Sequence, residues 1–200
     1  MIRELRSAGE LRSACGDDDL VMWAGQGLRG GARAWALGDA VVAAGPGLAL
    51  RDRLAVWGGV SCAVDLVRHA LGEVGPSYRP VGDAELVRDV VVKLDGLEES
   101  GRFSWMSLSA PALASASARG FGSVVCGPVE RGGVGAAGWL GVEEEGEVAA
   151  LLAADAPHSY AVPGGAGVRR WAGVRVDGVL GAVAADAWSA PAVGLLAGVA

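Results

Sequence analysis

Short apolar runs, separated by glycine, aspartate and proline, fill the first sixty residues of the chain. This alternation of apolar runs with turn-forming residues is typical of β-strands. It predicts strands at Leu20–Ala24, Arg33–Leu37, Ala40–Ala44 and Arg51–Trp57. Ahead of them, Leu5, Ala8 and Leu11 recur at helical spacing and predict a short amphipathic helix within Arg3–Ala14.

The apolar period changes to that of a helix after residue 59. Apolar positions three and four apart predict helices at Val60–Leu71 and at Asp83–Leu94, the second with Asp83 as its N-cap. A strand cut short by Pro80 is predicted between the two helices, and a further strand at Phe103–Ser109.

The remaining residues are predicted to form a linker, one helix and three strands, in that order. An Ala/Ser-rich stretch at Ser109–Gly120 predicts a linker. A helix is expected at Val142–Ala154, because acidic residues are concentrated in its first turns, where they interact favourably with the positive end of the helix dipole. Strands are predicted at Arg170–Val176, Val179–Ala185 and Val193–Val199. We therefore predict an α+β protein with mixed, mostly antiparallel sheets and flanking helices, in units 1–108 and 121–200 joined by a linker at 109–120.

The two predicted units share a weak internal repeat. Each contains a basic residue and a tryptophan, a strand, an aspartate-containing turn and a second strand, beginning at Arg33 and at Arg170. A third strand follows in each copy. In the first copy it leads through Gly58-Gly59 into a helix, whereas the second copy reaches Ala200 at the equivalent point.

Charge and cysteine content limit the classes of function. The net charge is −6, which argues against a nucleic-acid-binding surface. Three cysteines, Cys15, Cys62 and Cys126, match no metal-ligand spacing and predict reduced thiols in a cytoplasmic protein. The apolar window Val179–Ala200 contains Asp186 and Pro191, so strands are favoured there over a membrane span.

The order of elements from Trp139 to Ala200 resembles the front of a GNAT acyltransferase. The features that carry the resemblance are the acidic helix, the loop to Gly167, the hairpin VRVDGVLGAVA and the final strand AVGLLAGVA. The first unit resembles a degenerate domain of the same superfamily. The resemblance implies an N-acetyltransferase that moves an acetyl group from acetyl-CoA to an amine.

The resemblance also implies which residues bind the acyl donor. In that superfamily the fourth strand splays at a bulge, pantetheine adds to its edge, and a main-chain N–H polarises the thioester carbonyl. The matching residues are Gly198, Val199 and Ala200. No stretch matches the Arg/Gln-x-x-Gly-x-Gly/Ala loop that holds the pyrophosphate, including those at Arg119 and Arg131. The expectation is therefore a second unit that ends at its fourth strand, and a chain that is inactive alone.

The sequence does not identify the catalytic acid and base. Solvated or structural roles are favoured for the acidic helix start (Glu143, Glu144, Glu145, Glu147), for Asp186 and for His69, whereas His158 and Tyr160 form a loop pair that could line an amine site. Cys62 and Cys126 have no basic neighbour that would make them nucleophiles. The alternative hypothesis is a non-catalytic α+β module that binds a partner or forms a homodimer through the exposed edge at Val193–Val199.

Overall fold

A computed structural model describes residues 1–109 and 135–200, and it divides the chain into two compact units. Unit 1 comprises Met1–Ser104 and Ser189–Gly194, and unit 2 comprises Trp105–Trp188 and Leu195–Ala200. Ser189–Gly194 was expected in the second unit but belongs to the first, where Pro191 packs against Gly27. Residues 110–120 of the predicted linker lie outside the described residues.

Unit 1 contains a five-stranded sheet with strands in sequence order. The strands are β1 (Arg3–Leu5), β2 (Arg33–Leu37), β3 (Ala40–Leu48), β4 (Arg51–Trp57) and β5 (Arg79–Gly82). All neighbouring strands are antiparallel except β4 and β5, which are parallel. A parallel pair requires a crossover connection, and helix α3 (Val60–Val74) provides it.

The other helices of unit 1 begin at capping side chains. Helix α1 (Ala8–Cys15) begins after Ser7, whose hydroxyl accepts from the Glu10 N–H, and α2 (Asp19–Gly25) begins after Asp18, which accepts from the Val21 N–H. A short 3₁₀ turn, Gln26–Leu28, follows α2. Helix α4 (Ala84–Lys93) has the predicted N-cap, because Asp83 accepts from the N–H groups of Glu85 and Leu86.

The core of unit 1 lies between the sheet and α3. Small and medium side chains of both elements are fully buried there, with Trp35 as the largest. They are Ala40, Val42, Ala44, Leu54, Ala63, Leu66, Val67 and Ala70. Helices α1 and α2 also pack on β3.

Unit 2 repeats the front of unit 1 in its order of elements. Its sheet has the order β6 (Gly138–Trp139), β7 (Val168–Val176), β8 (Val179–Ala187), β9 (Leu196–Ala197), and every neighbouring pair is antiparallel. A 3₁₀ turn at Val142–Glu144 and helix α5 (Glu145–Asp155) connect β6 to β7. Helix α5 packs on β8 through its buried residues Val148 and Leu152. The predicted α+β class with mixed, mostly antiparallel sheets is confirmed.

Four of the predicted elements were wrong or too long. Leu20–Ala24, predicted as a strand, lies in helix α2, where nearly every residue is buried and no polar face marks the helical period. Arg3–Leu5, predicted as helical, forms β1, because Ser7 caps a later helix start. Phe103–Ser109 contains no strand. Of the predicted strand Val193–Val199, only Leu196–Ala197 is a strand. A β-bulge, described below, follows it at Gly198 and Val199.

Among the helices of the described ranges, none has the length and apolar character needed to cross a bilayer. The apolar window that raised this question in the sequence forms β8 and β9 instead.

Candidate functional site

The last residues of the chain form a β-bulge at the edge of the unit 2 sheet. Ala197 pairs with Ala185, and Ala200 and Val183 exchange both main-chain hydrogen bonds, at 2.8 and 3.2 Å. Two residues, Gly198 and Val199, therefore stand opposite one, Ala184. Gly198 has φ +58°, the left-handed conformation that glycine supplies in bulges of this kind.

The bulge presents two consecutive N–H groups at the sheet edge. Neither the Gly198 nor the Val199 N–H donates a hydrogen bond to any residue of the described ranges. No further strand pairs with β9 in the described part of the chain, and Val199 is 68% exposed. An open strand edge with two free donors can accept an extended ligand and hold an oxygen atom.

A loop that follows α5 packs directly against the bulge. A Cβ atom added at Gly198 would lie 2.9 Å from the Ala161 Cβ and 3.2 Å from the Ser159 Oγ. The Ser159 hydroxyl donates to the Ala161 carbonyl at 2.8 Å, and Ala161 is fully buried. The structure thus brings together two groups that the sequence predicts separately, the glycine of the final strand and the loop that carries His158 and Tyr160.

The two titratable residues of this loop are accessible. His158 is exposed, and Tyr160 is 58% exposed. Their chain neighbours Ser159 and Ala161 are the loop residues that touch Gly198. The loop that packs against the bulge therefore carries an exposed imidazole and an exposed phenol.

Three of the carboxylates considered in the sequence, Glu144, Glu147 and Asp186, are held in ion pairs. Arg175 donates from Nη2 to Glu144 at 2.6 Å and from Nη1 to Glu147 at 2.8 Å. These bonds hold the pKa of both carboxyl groups below the usual value, and in Glu144 the Gly141 N–H adds to the effect. Asp186 pairs with Arg170, its neighbour across the two strands, at 3.3 Å.

The remaining sequence candidates lie in unit 1. The ring of His69 meets Trp35 edge to face, with centroids 5.9 Å apart. Cys15 is buried, and desolvation raises the pKa of its thiol. Cys62 is a free thiol in the first turn of α3, and Cys126 lies outside the described residues.

Asp39 packs against the residues that precede helix α3. Gly58, at φ +101°, lies against the main chain of Asp39 and Ala40, and Gly59, the N-cap of α3, lies against the Asp39 carboxylate. A negative group at a helix N-terminus is favoured by the helix dipole. In unit 1 the chain's own carboxylate thus lies at the N-terminus of α3.

Sequence reasoning missed Trp171, Ser159 and Asp39. The first two matter through their packing on Gly198, and Asp39 through its position over Gly59. The one signal for Asp39 was the aspartate-containing turn of the first repeat copy, which predicts a turn but not the glycines packed against it.

Comparison with family models, with curated proteins and with solved structures gave no match. In the described residues, no group of three or more His, Cys, Asp or Glu side chains is arranged to hold a metal ion.

Proposed function

We propose that this protein is a GNAT-type N-acetyltransferase, in which unit 2 binds the thioester arm of acetyl-CoA beside an amine acceptor. The observation that carries the proposal is the bulge at Gly198 and Val199, whose two N–H groups have no acceptor within the described ranges and lie on an open strand edge. The residues involved are those that the resemblance implied.

The order of elements in unit 1 supports the proposal. Two helices lie between β1 and β2, an antiparallel meander follows, and α3 crosses to a single parallel strand, β5. Unit 2 has the same order up to β9, with one α-helix between its first two strands. Both orders of elements are consistent with the resemblance.

The chemistry of the proposed step follows from the geometry of the bulge. The amine nitrogen attacks the thioester carbonyl, a C–N bond forms, the C–S bond breaks, and the electron pair leaves on sulfur. Negative charge develops on the carbonyl oxygen during the attack, and preorganised N–H donors stabilise it. The Gly198 and Val199 N–H groups serve this role. The His158 imidazole accepts the proton that the amine loses, directly or through water.

The test is binding of S-acetylpantetheine, the arm of acetyl-CoA without its nucleotide, followed by NMR on the 200-residue chain. We expect chemical-shift changes at the Gly198, Val199 and Ala200 amides. Gly198→Val should abolish them, because the side chain would enter space held by Trp171 and Ala161. The matched control is Gly146→Ala, since a Cβ at that helical position meets no atom within 4 Å. A wild-type chain whose three amides do not respond at millimolar ligand contradicts the proposal.

A second candidate function rests on the same open edge. Leu196 and Val199 are each 68% exposed, and an open edge can pair with a strand of another molecule. On this hypothesis the protein is a non-catalytic module that forms a homodimer through β9. Sedimentation at rising concentration distinguishes the two. A dimer that Leu196→Lys dissociates supports the module, and a monomer at all concentrations excludes it.

A further inference from the structure

Trp171 lies beneath the bulge, on the strand next but one to β9. It pairs with Ala185, which in turn pairs with Ala197, so the three side chains share one face of the sheet. A Cβ atom added at Gly198 would lie 2.8 Å from the Trp171 Cη2. The indole ring therefore forms the floor on which the bulge glycine rests.

The polar atom of this indole is buried and unpaired. Trp171 is only 2% exposed, and among the described residues no hydrogen-bond acceptor faces its Nε1–H. Burying an N–H group in this way is unfavourable, and nearly all buried polar groups in proteins are paired. A phenylalanine would fill most of the same space without that penalty, so packing alone does not account for tryptophan at this position.

We infer that Trp171 is a ligand-binding residue, whose indole N–H donates a hydrogen bond to an amide carbonyl of the pantetheine arm. This inference rests on the proposed function, because it takes the ligand of the bulge to be an acyl-pantetheine thioester. That ligand carries two amide carbonyl groups, which are strong acceptors. The hydrogen bond would satisfy the indole N–H, which the described part of the chain leaves unpaired.

The test follows the tryptophan indole N–H signals of the ¹⁵N-labelled chain by NMR while S-acetylpantetheine is added. We expect the Trp171 signal to move downfield, as an N–H does when it gains an acceptor. We also expect Trp171→Phe to weaken binding about three- to tenfold, the loss of one neutral hydrogen bond. The matched control is Trp139→Phe, which changes the same residue type on β6 and should leave the affinity unchanged.

The outcomes separate this inference from the proposed function. If the Gly198 and Val199 amides respond but the Trp171 signal stays in place, the proposed function stands and the role of Trp171 is wrong. The same conclusion follows if Trp171→Phe binds as tightly as the wild type. If neither the amides nor the indole responds, the proposed function itself fails.

Discussion

At the scale of single residues, Arg175 connects β7 to the start of α5 through two carboxylates. Its side chain is 22% exposed and that of Glu144 is 26% exposed, so solvent screens this pair only in part. The pKa of Glu144 is lowered chiefly by the hydrogen bond from Arg175. A carboxyl group whose pKa is lower in the folded state stabilises the fold above its unfolded pKa, and the effect is lost as the pH falls through the folded value.

We therefore predict that Arg175→Gln lowers the free energy of unfolding by on the order of 1 kcal/mol at pH 7. The difference from wild type should shrink as the pH falls below the ordinary Glu value of 4.5, because protonated Glu144 no longer attracts Arg175. Urea titrations at pH 7 and at about pH 3 measure both quantities. Arg68→Gln is the control, since the Arg68–Asp65 pair is about 60% exposed on both sides. A loss that is equal at both pH values contradicts the electrostatic explanation.

The residues of the site divide by how far sequence could predict them. Gly198, Val199 and Ala200 are named as site residues by the resemblance alone, and in the structure they lie at the bulge that follows β9. Trp171 could not be placed in this way. Its importance depends on a register that pairs it, through Ala185, with the last strand, and register is set by turns and bulges that leave weak signals in a glycine-rich chain.

At the scale of elements, two glycines near the ends of α3 differ in their surroundings. Gly58, just before the helix, is tightly enclosed, and Gly72, in its last turns, has open space around it. Gly58 precedes the helix at φ +101°, against the Asp39 main chain, whereas a Cβ atom added at Gly72, in the last turns, would meet no atom within 4 Å. We predict that Gly72→Ala stabilises unit 1 by up to about 1 kcal/mol, because alanine has the higher helix propensity. Gly58→Ala should destabilise it by more than about 1 kcal/mol, through both the clash and the left-handed backbone. Urea unfolding followed by tryptophan fluorescence measures both, and shifts of the same sign would refute the assignment.

In the β3–β4 turn, two residues that carry side chains adopt the left-handed backbone conformation that glycine adopts at little cost. Ala49 and Leu50 have φ +51° and +59°, and Leu50 is 56% exposed. The β7–β8 turn instead has Asp177-Gly178 at φ +50° and +83°, a pair that suits such turns. We predict that Ala49→Asn with Leu50→Gly raises the free energy of unfolding by about 1 kcal/mol. Gly178→Ala, which introduces a side chain at a left-handed position, should lower it, and thermal unfolding of the two variants checks the pair.

Elements with an exposed polar face could be predicted from the sequence, and elements without one could not. Helices α3 and α4 alternate apolar and charged positions, and both are found within three residues of the predicted limits. Helix α2 is buried along most of its length, and a short, continuously apolar run is compatible with either a strand or a buried helix. The Asp18 N-cap was the one local signal that favoured the helix.

At the scale of the whole molecule, the two units share an order of elements but differ at the fourth strand of each sheet. In unit 1, β4 pairs with β5 over four consecutive residues, from Arg53 opposite Arg79 to Val56 opposite Gly82. In unit 2, β9 is the edge strand of the described sheet and contains the bulge. The weak repeat seen in the sequence thus corresponds to one strand order in two sheets. In the first sheet the fourth strand is paired on both sides, and in the described part of the second sheet it is an edge strand.

This difference predicts that a chain binds one equivalent of S-acetylpantetheine, and that the site is in unit 2. In unit 1 both edges of β4 are paired, with β3 and with β5, and the Asp39 carboxylate already lies over the N-cap of the crossover helix. Calorimetric titration should give a stoichiometry of one for the wild type. Asp39→Asn, which removes the charge but keeps the shape, should leave that stoichiometry unchanged, whereas Gly198→Val should reduce it to zero. A stoichiometry of two, or binding that survives Gly198→Val, would place a thioester site in unit 1 and contradict the assignment of separate roles to the two units.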